Sequence, residues 1–272
     1  MRSRPRLTIT LAQDVLDQVD RIVARKTTGN RSQAIEALLR QSLSPRVTTA
    51  VLLAGGENKG GPIPALQSID EQKLIFITLQ HLVSYGIQSI YILAGPHEDA
   101  FKKVLEEGEY QGARIRYISE DQPLGTAGAV KMLEGILASE SFLVMHADVL
   151  TRINLADFIA FHNDENPLAT IAVKPRDAEK EYGKLMLQGN TITEFSETNH
   201  KGGISIVNTG VYLLHPEVLR LIDPNRRTHF ETDIFPTLAR RKELSAFFFQ
   251  GIWFDISSSE TYRTAQARWK LT

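Results

Sequence analysis

From Val47 onward the chain alternates short apolar runs with longer segments of helical spacing: Ala50 to Ala54, Leu74 to Tyr85, Ile90 to Ala94, Phe101 to Glu107, Ile115 to Ile118, Ala127 to Leu137 and Phe142 to Met145. Strand-length runs separated by helix-length segments specify a mostly parallel sheet covered by helices. Ligands of such sheets collect beyond the carboxyl ends of the strands. Small and acidic residues fall at those ends, with Leu53-Ala54-Gly55-Gly56 after the first run and Asp148 after the Phe142 run.

Residues 1 to 46 follow a different pattern. They carry nine Arg/Lys against four Asp/Glu, a net of +5, which leaves −6 for the remainder of a chain whose total is −1. Only this front segment suits a polyanion. Over Arg4 to Leu11, Leu7, Ile9 and Leu11 alternate with Arg6, Thr8 and Thr10, as a half-buried strand requires. A helix is predicted through Val15, Leu16, Val19, Ile22 and Val23, stopped by Thr27-Thr28-Gly29-Asn30. A second starts near Arg31-Ser32, buries Ile35, Leu38 and Leu39, and ends at Ser44-Pro45. Strand, helix and helix supply too little core for a monomer, so residues 1–45 read as a self-associating module and 47–272 as a separate domain.

This front segment resembles the ribbon-helix-helix family of DNA-binding proteins over residues 4 to 43. Members pair their strands across a homodimer and lay the two-stranded ribbon in the major groove of double-stranded DNA. The resemblance implies that Arg6, Thr8 and Thr10 face bases, and that amides near Asn30, Arg31 and Ser32 hold a phosphate. A dimerisation module without DNA binding is the alternative.

The composition excludes some chemistry. Cysteine is absent, which rules out disulfides and thiolate metal sites. Neither an apolar run long enough to span a membrane nor a signal-peptide pattern occurs, and a cytoplasmic protein is expected.

The larger segment carries an ordered series of short motifs: Leu53-Ala54-Gly55-Gly56, Gly86-Ile87, Pro123 to Ala129, His146-Ala147-Asp148, Tyr182-Gly183, Phe195-Ser196-Glu197, Asn208 to Tyr212, and Trp253-Phe254-Asp255-Ile256. In that order they resemble the sugar-1-phosphate nucleotidyltransferases, over nearly all of residues 47 to 267. The resemblance implies a Rossmann-like, mixed and mostly parallel α/β sheet of the GT-A type. It implies that Leu53, Ala54, Gly55, Gly56, Gly125 and Thr126 surround a nucleotide, where glycines let backbone amides approach phosphate. Asp148 and Asp255 are the implied ligands of Mg²⁺, a hard cation that prefers oxygen. Tyr182, Gly183, Glu197 and Asn208 match positions that hold sugar hydroxyls, and Lys174 one that is often basic and near phosphate. His146 stands where the family often has Asn, and no catalytic role is assigned to it.

The chain departs from the family in its cations. After the glycines the family reads Gly-Thr-Arg and, further on, Pro-Lys; this chain reads Glu57-Asn58-Lys59-Gly60-Gly61-Pro62-Ile63-Pro64, with Pro64 at the lysine position. The family's Glu-Lys-Pro becomes Glu197-Thr198-Asn199. One charge-stabilising donor in a catalytic site is worth about 3 to 4 kcal/mol, so two or three losses should cripple the ordinary reaction. Lys59 is the candidate replacement, although a mobile ammonium does not reproduce a guanidinium fork. Two functions therefore follow. One is a ligand-responsive DNA-binding regulator whose transferase domain binds a nucleotide or nucleotide sugar without turnover. The other is an active Mg²⁺-dependent nucleotidyltransferase whose front module serves dimerisation or autoregulation.

Overall fold

A computed structural model describes residues 8–24, 30–43, 47–56, 61–105, 108–120, 122–137, 140–177, 182–200 and 204–269. The chain divides into two compact units, Met1–Pro45 and Arg46–Thr272.

The first unit contains α1 (Gln13–Ala24) and α2 (Arg31–Leu43), close to the predicted helices. Asn30 caps α2, its Oδ1 accepting the Gln33 amide at 2.9 Å. Arg31 donates twice to Asp20, at 2.6 and 2.7 Å, and ties the second helix to the first. Val19 and Ala34 are buried, whereas Ile9, Val15, Leu38 and Leu39 are exposed. The predicted burial of Leu38 and Leu39 is therefore not met within the single chain, which the sequence already reads as too small a core to stand alone. The predicted strand is also missing over its described part: residues 8–12 belong to no helix or strand, and Arg6 lies outside the described residues. A ribbon strand that pairs only with a second copy finds no hydrogen-bonding ladder in a single chain.

The second unit is built on one ten-stranded sheet. Its strands are β1 (Thr49–Leu53), β4 (Ser89–Leu93), β5 (Gly108–Tyr110), β6 (Ala113–Tyr117), β7 (Phe142–His146), β9 (Ala169–Asp177), β10 (Tyr182–Gln188), β11 (Thr191–His200), β12 (Ile204–Leu214) and β13 (Leu244–Phe248). Two short two-stranded sheets complete the set: β2 (Ser68–Ile69) with β3 (Gln72–Lys73), and β8 (Val149–Thr151) with β14 (Trp253–Asp255). The spatial order of the large sheet is β10-β11-β13-β9-β12-β7-β1-β4-β6-β5. The run β7-β1-β4-β6 is parallel as expected; β12 then runs antiparallel to both β7 and β9.

Both faces of the sheet are covered, which explains the unbroken apolar runs. On β1, Ala50 and Leu52 pack with Leu79 and Leu82 of α3 (Leu74–Ser84), Phe101 of α4 (Glu98–Leu105) and Phe158 of α6 (Leu155–Glu165). Val51 points the other way, toward Val130 of α5 (Gly125–Lys131) and Phe235 and Leu238 of α7 (Phe235–Arg241). Helix α4 begins three residues before the predicted Phe101, and α5 ends at Lys131, short of the predicted Leu137. A last helix, α8 (Ser259–Trp269), follows β14.

Candidate active site

The site lies where β1, β4 and β7 end. Their pairing continues one residue past the strands, the Ala54 amide donating to Leu93 and the Ala147 amide to Leu53, each at 2.9 Å. Two turns then meet. A Cβ at Gly55 would lie 3.1 Å from the Gly95 nitrogen, so glycine is what lets the loops after β1 and β4 touch. His97 Nε2 holds the next residue, 3.0 Å from the Gly56 carbonyl oxygen.

A third turn opens α5. Gly125 has φ +80°, and a Cβ there would sit 2.5 Å from the Thr228 carbonyl oxygen. That oxygen accepts the amides of Ala127 and Gly128, both at 3.0 Å, while the Thr228 amide donates to Leu124 at 2.8 Å. Together these turns enclose a cavity of about 790 Å³ lined by Leu53 to Gly56, Gly125, Thr126, His146 and Asp148. The volume is within the range that small-molecule sites occupy.

The cavity wall is strongly charged. Asp148 follows β7, and Asp255 ends β14, opposite Val149 in register. The backbone joins them as well, with the Ile256 amide donating to the Asp148 carbonyl at 3.0 Å. Burial pushes the Asp148 carboxyl up; His146 opposes that shift and Asp255 adds to it. A carboxylate whose ionisation is discouraged by burial and by a second carboxylate beside it is relieved by a cation, so the site fits a hard divalent ion. Among the described residues no cluster of three or more His, Cys, Asp or Glu forms a site, so substrate oxygens would have to complete the shell.

Behind this wall lies a network that sequence reasoning missed. Glu231 sits on a single π turn (Phe230–Ile234) that runs into α7. Its Oε2 accepts the Thr126 hydroxyl at 2.9 Å, and its Oε1 accepts the Tyr212 hydroxyl at 3.1 Å and lies 3.4 Å from His146 Nε2. Thr126 Oγ1 in turn accepts the Phe230 amide at 3.0 Å. Burial opposes ionisation of Glu231, but the hydrogen bonds from His146 and Thr126 and the charge of His146 outweigh it and hold the carboxyl at about 2. For His146, burial works against the imidazolium, and the hydrogen bond and charge of Glu231, with Asp148 and Asp255, raise it all the same. Glu231 and the aspartate pair thus both favour the charged form of His146. Its place two residues before Asp148 was a usable signal; Glu231 had none.

The predicted nucleotide-side residues Leu53, Ala54, Gly55, Gly56, Gly125 and Thr126 all line the one cavity, with Asp148. Others do not. Lys174 Nζ donates to the Gly251 carbonyl and lies 4.8 Å from the Phe249 ring centroid, so it braces the loop before β14 instead of lining the cavity. Asn208 spends its amide on the β12 irregularity, Oδ1 accepting the Gly210 amide at 3.0 Å and Nδ2 donating to Tyr212 at 2.9 Å. Tyr182 and Gly183 lie on β10 and Glu197 on β11, with side chains outside the described residues; Lys59 lies outside them altogether. In the first unit Thr8, Thr10 and Ser32 are exposed, and the Arg31 guanidinium is committed to Asp20.

The sequence profile of the nucleotidyl transferase family matches residues 49–270. A mannose-1-phosphate guanyltransferase of Yarrowia lipolytica is 29% identical over 202 residues, covering 72% of this chain and 55% of the relative. The probable mannose-1-phosphate guanylyltransferase 3 of Arabidopsis thaliana is 35% identical over 209 residues, covering 74% and 62%. The chain therefore spans little more than half the length of these relatives. In fold it is similar to HddC from Yersinia pseudotuberculosis, with TM-score 0.70 and 22% identity over 82% of this chain and 100% of the other. A UDP-glucose pyrophosphorylase from Acinetobacter baumanii gives TM-score 0.70 and 17% identity, over 83% and 94%. The family match begins at β1, ends just past α8 and takes in every turn that encloses the cavity, and on that extent the chain belongs to the nucleotidyl transferase family.

Proposed function

We propose that this protein is a sugar-1-phosphate nucleotidyltransferase. A phosphate oxygen of the sugar 1-phosphate attacks the α-phosphorus of a nucleoside triphosphate, a new P–O bond forms as the α–β phosphoanhydride breaks, and pyrophosphate leaves. The observation that carries this reading is the meeting of glycine turns and Asp148 in one cavity, with Asp255 coupled to Asp148 beside it.

In this reading Gly55 and Gly56 let backbone amides approach the phosphates, and Gly125 and Thr126 border the base. Bound Mg²⁺, held by Asp148 and Asp255, would offset phosphate charge. His146 lines the same cavity as Asp148 and contacts Glu231, so it ties the acidic wall to the turn that opens α5 through Glu231 and Thr126. Tyr182, Gly183 and Glu197 are proposed for the sugar; Asn208 and Lys174 support the frame around it. GTP with mannose 1-phosphate is the first pair to try, since the relatives similar in sequence are named for that transfer.

The expected result is Mg²⁺-dependent pyrophosphate release, abolished by chelation and lowered about 100-fold or more by Asp148→Asn. If nucleotides bind but no combination of triphosphate and sugar phosphate releases pyrophosphate, the binding-only regulator takes its place. A second activity, a ribbon-helix-helix dimer on double-stranded DNA, is favoured by one observation, the net +5 of residues 1 to 46.

A further inference from the structure

The loop after β1 offers the cavity no cation in its described part: residues 53–56 and 61–65 contain neither Arg nor Lys. A triphosphate brings about four negative charges to a site that already holds Asp148 and a second carboxylate beside it, more than one divalent ion offsets, so further positive charge must come from elsewhere. Among the described residues, Arg227 is the one arginine or lysine that lines the cavity.

Its backbone is well anchored. The following residue, Thr228, exchanges three hydrogen bonds with the turn that opens α5, at 2.8, 3.0 and 3.0 Å. The preceding residue is spoken for, since Arg226 pairs with Asp233, and Asp233 also accepts the His229 amide at 2.8 Å. Two adjacent arginines are thus differently employed. Arg226 closes the segment on itself, while Arg227 is solvent-exposed at the cavity and pairs with no carboxylate among the described residues. An exposed guanidinium on an anchored backbone is suited to gripping phosphate oxygens two at a time.

We propose that Arg227 supplies, from the segment fastened to the turn that opens α5, a phosphate-binding cation that the described part of the glycine loop lacks. This rests on the nucleotide-binding reading above and assigns to the segment before α7 a role that the family places in the loop.

Titration calorimetry of the full chain with GMP, GDP and GTP in the presence of Mg²⁺ tests it. The wild type should bind more tightly with each added phosphate. Arg227→Ala should flatten that ladder, weakening GTP on the order of 10- to 100-fold, the scale of one charged hydrogen-bonding group, and GMP by less than about threefold. Arg227→Lys should recover part of the loss. Arg226→Ala should lower the melting temperature and leave the ladder in place, which separates phosphate contact from damage to the segment. If Arg227→Ala weakens GMP as much as GTP, or leaves GTP unchanged, the assignment is wrong. If the wild type binds no GTP, ATP, CTP or UTP, the nucleotide reading itself fails and the assignment falls with it.

Discussion

Glu231 shows what a single buried carboxylate does here. It receives hydrogen bonds from Thr126 and Tyr212 and faces His146, so it fixes a residue at the turn that opens α5 and another two residues before Asp148. Its carboxyl lies at about 2 against an ordinary 4.5, so its contribution to stability is fully present above pH 4.5 and is lost as pH falls toward 2. Converted, that is about 3 kcal/mol at neutrality. Glu231→Gln should therefore be less stable than wild type by about that amount at pH 7, with the gap closing in acid. Urea unfolding across pH 7 to about pH 3 measures this, and a gap that does not change with pH would remove the ionised pair from the explanation.

At the scale of elements, His162 fastens α6 to the sheet. Its Nδ1 lies 2.8 Å from Thr170 Oγ1 on β9 and its Nε2 3.1 Å from Ser141 Oγ, next to β7. Burial, assisted by the charge of His215, lowers it to about 4, so the folded protein holds it neutral at pH values where the unfolded chain protonates it. The stabilisation is fully present above about pH 6.5 and is lost as pH falls through 4, roughly 3 kcal/mol in all. His162→Asn should be less stable at pH 7 and flatter than wild type between pH 6.5 and 4, as followed by urea midpoints; parallel curves would contradict the assignment. Elements of this kind were the legible part of the sequence. The parallel half was readable because strands buried on both faces are apolar throughout, and the turns because Gly55 and Gly125 answer to steric demands that no other residue meets. The misjudged residues belong to long-range pairing. Lys174 and Asn208 lie on strands whose register turns their side chains to Gly251 and Tyr212, and Glu231 meets Thr126 across more than a hundred residues. No local pattern encodes such meetings.

For the whole molecule, the divided charge makes a separable prediction. If residues 1 to 46, at net +5, hold DNA, duplex affinity should fall steeply between about 50 and 200 mM salt, with a slope of about −0.9 per phosphate neutralised. Fluorescence anisotropy of a labelled duplex reads this, and absence of binding even at low salt would leave the unit with self-association alone. The large unit is differently constrained. Strands β1, β4 and β7, which end at the glycine turns and Asp148, and strands β10 and β11, which carry Tyr182 and Glu197, belong to one hydrogen-bonded sheet. The hydrogen-bonded strand order thus places both groups of residues on one shared floor. Whatever the cavity binds is therefore positioned by turns that hang from neighbouring strands of a single sheet, so a change in one strand's register would move all of those turns together.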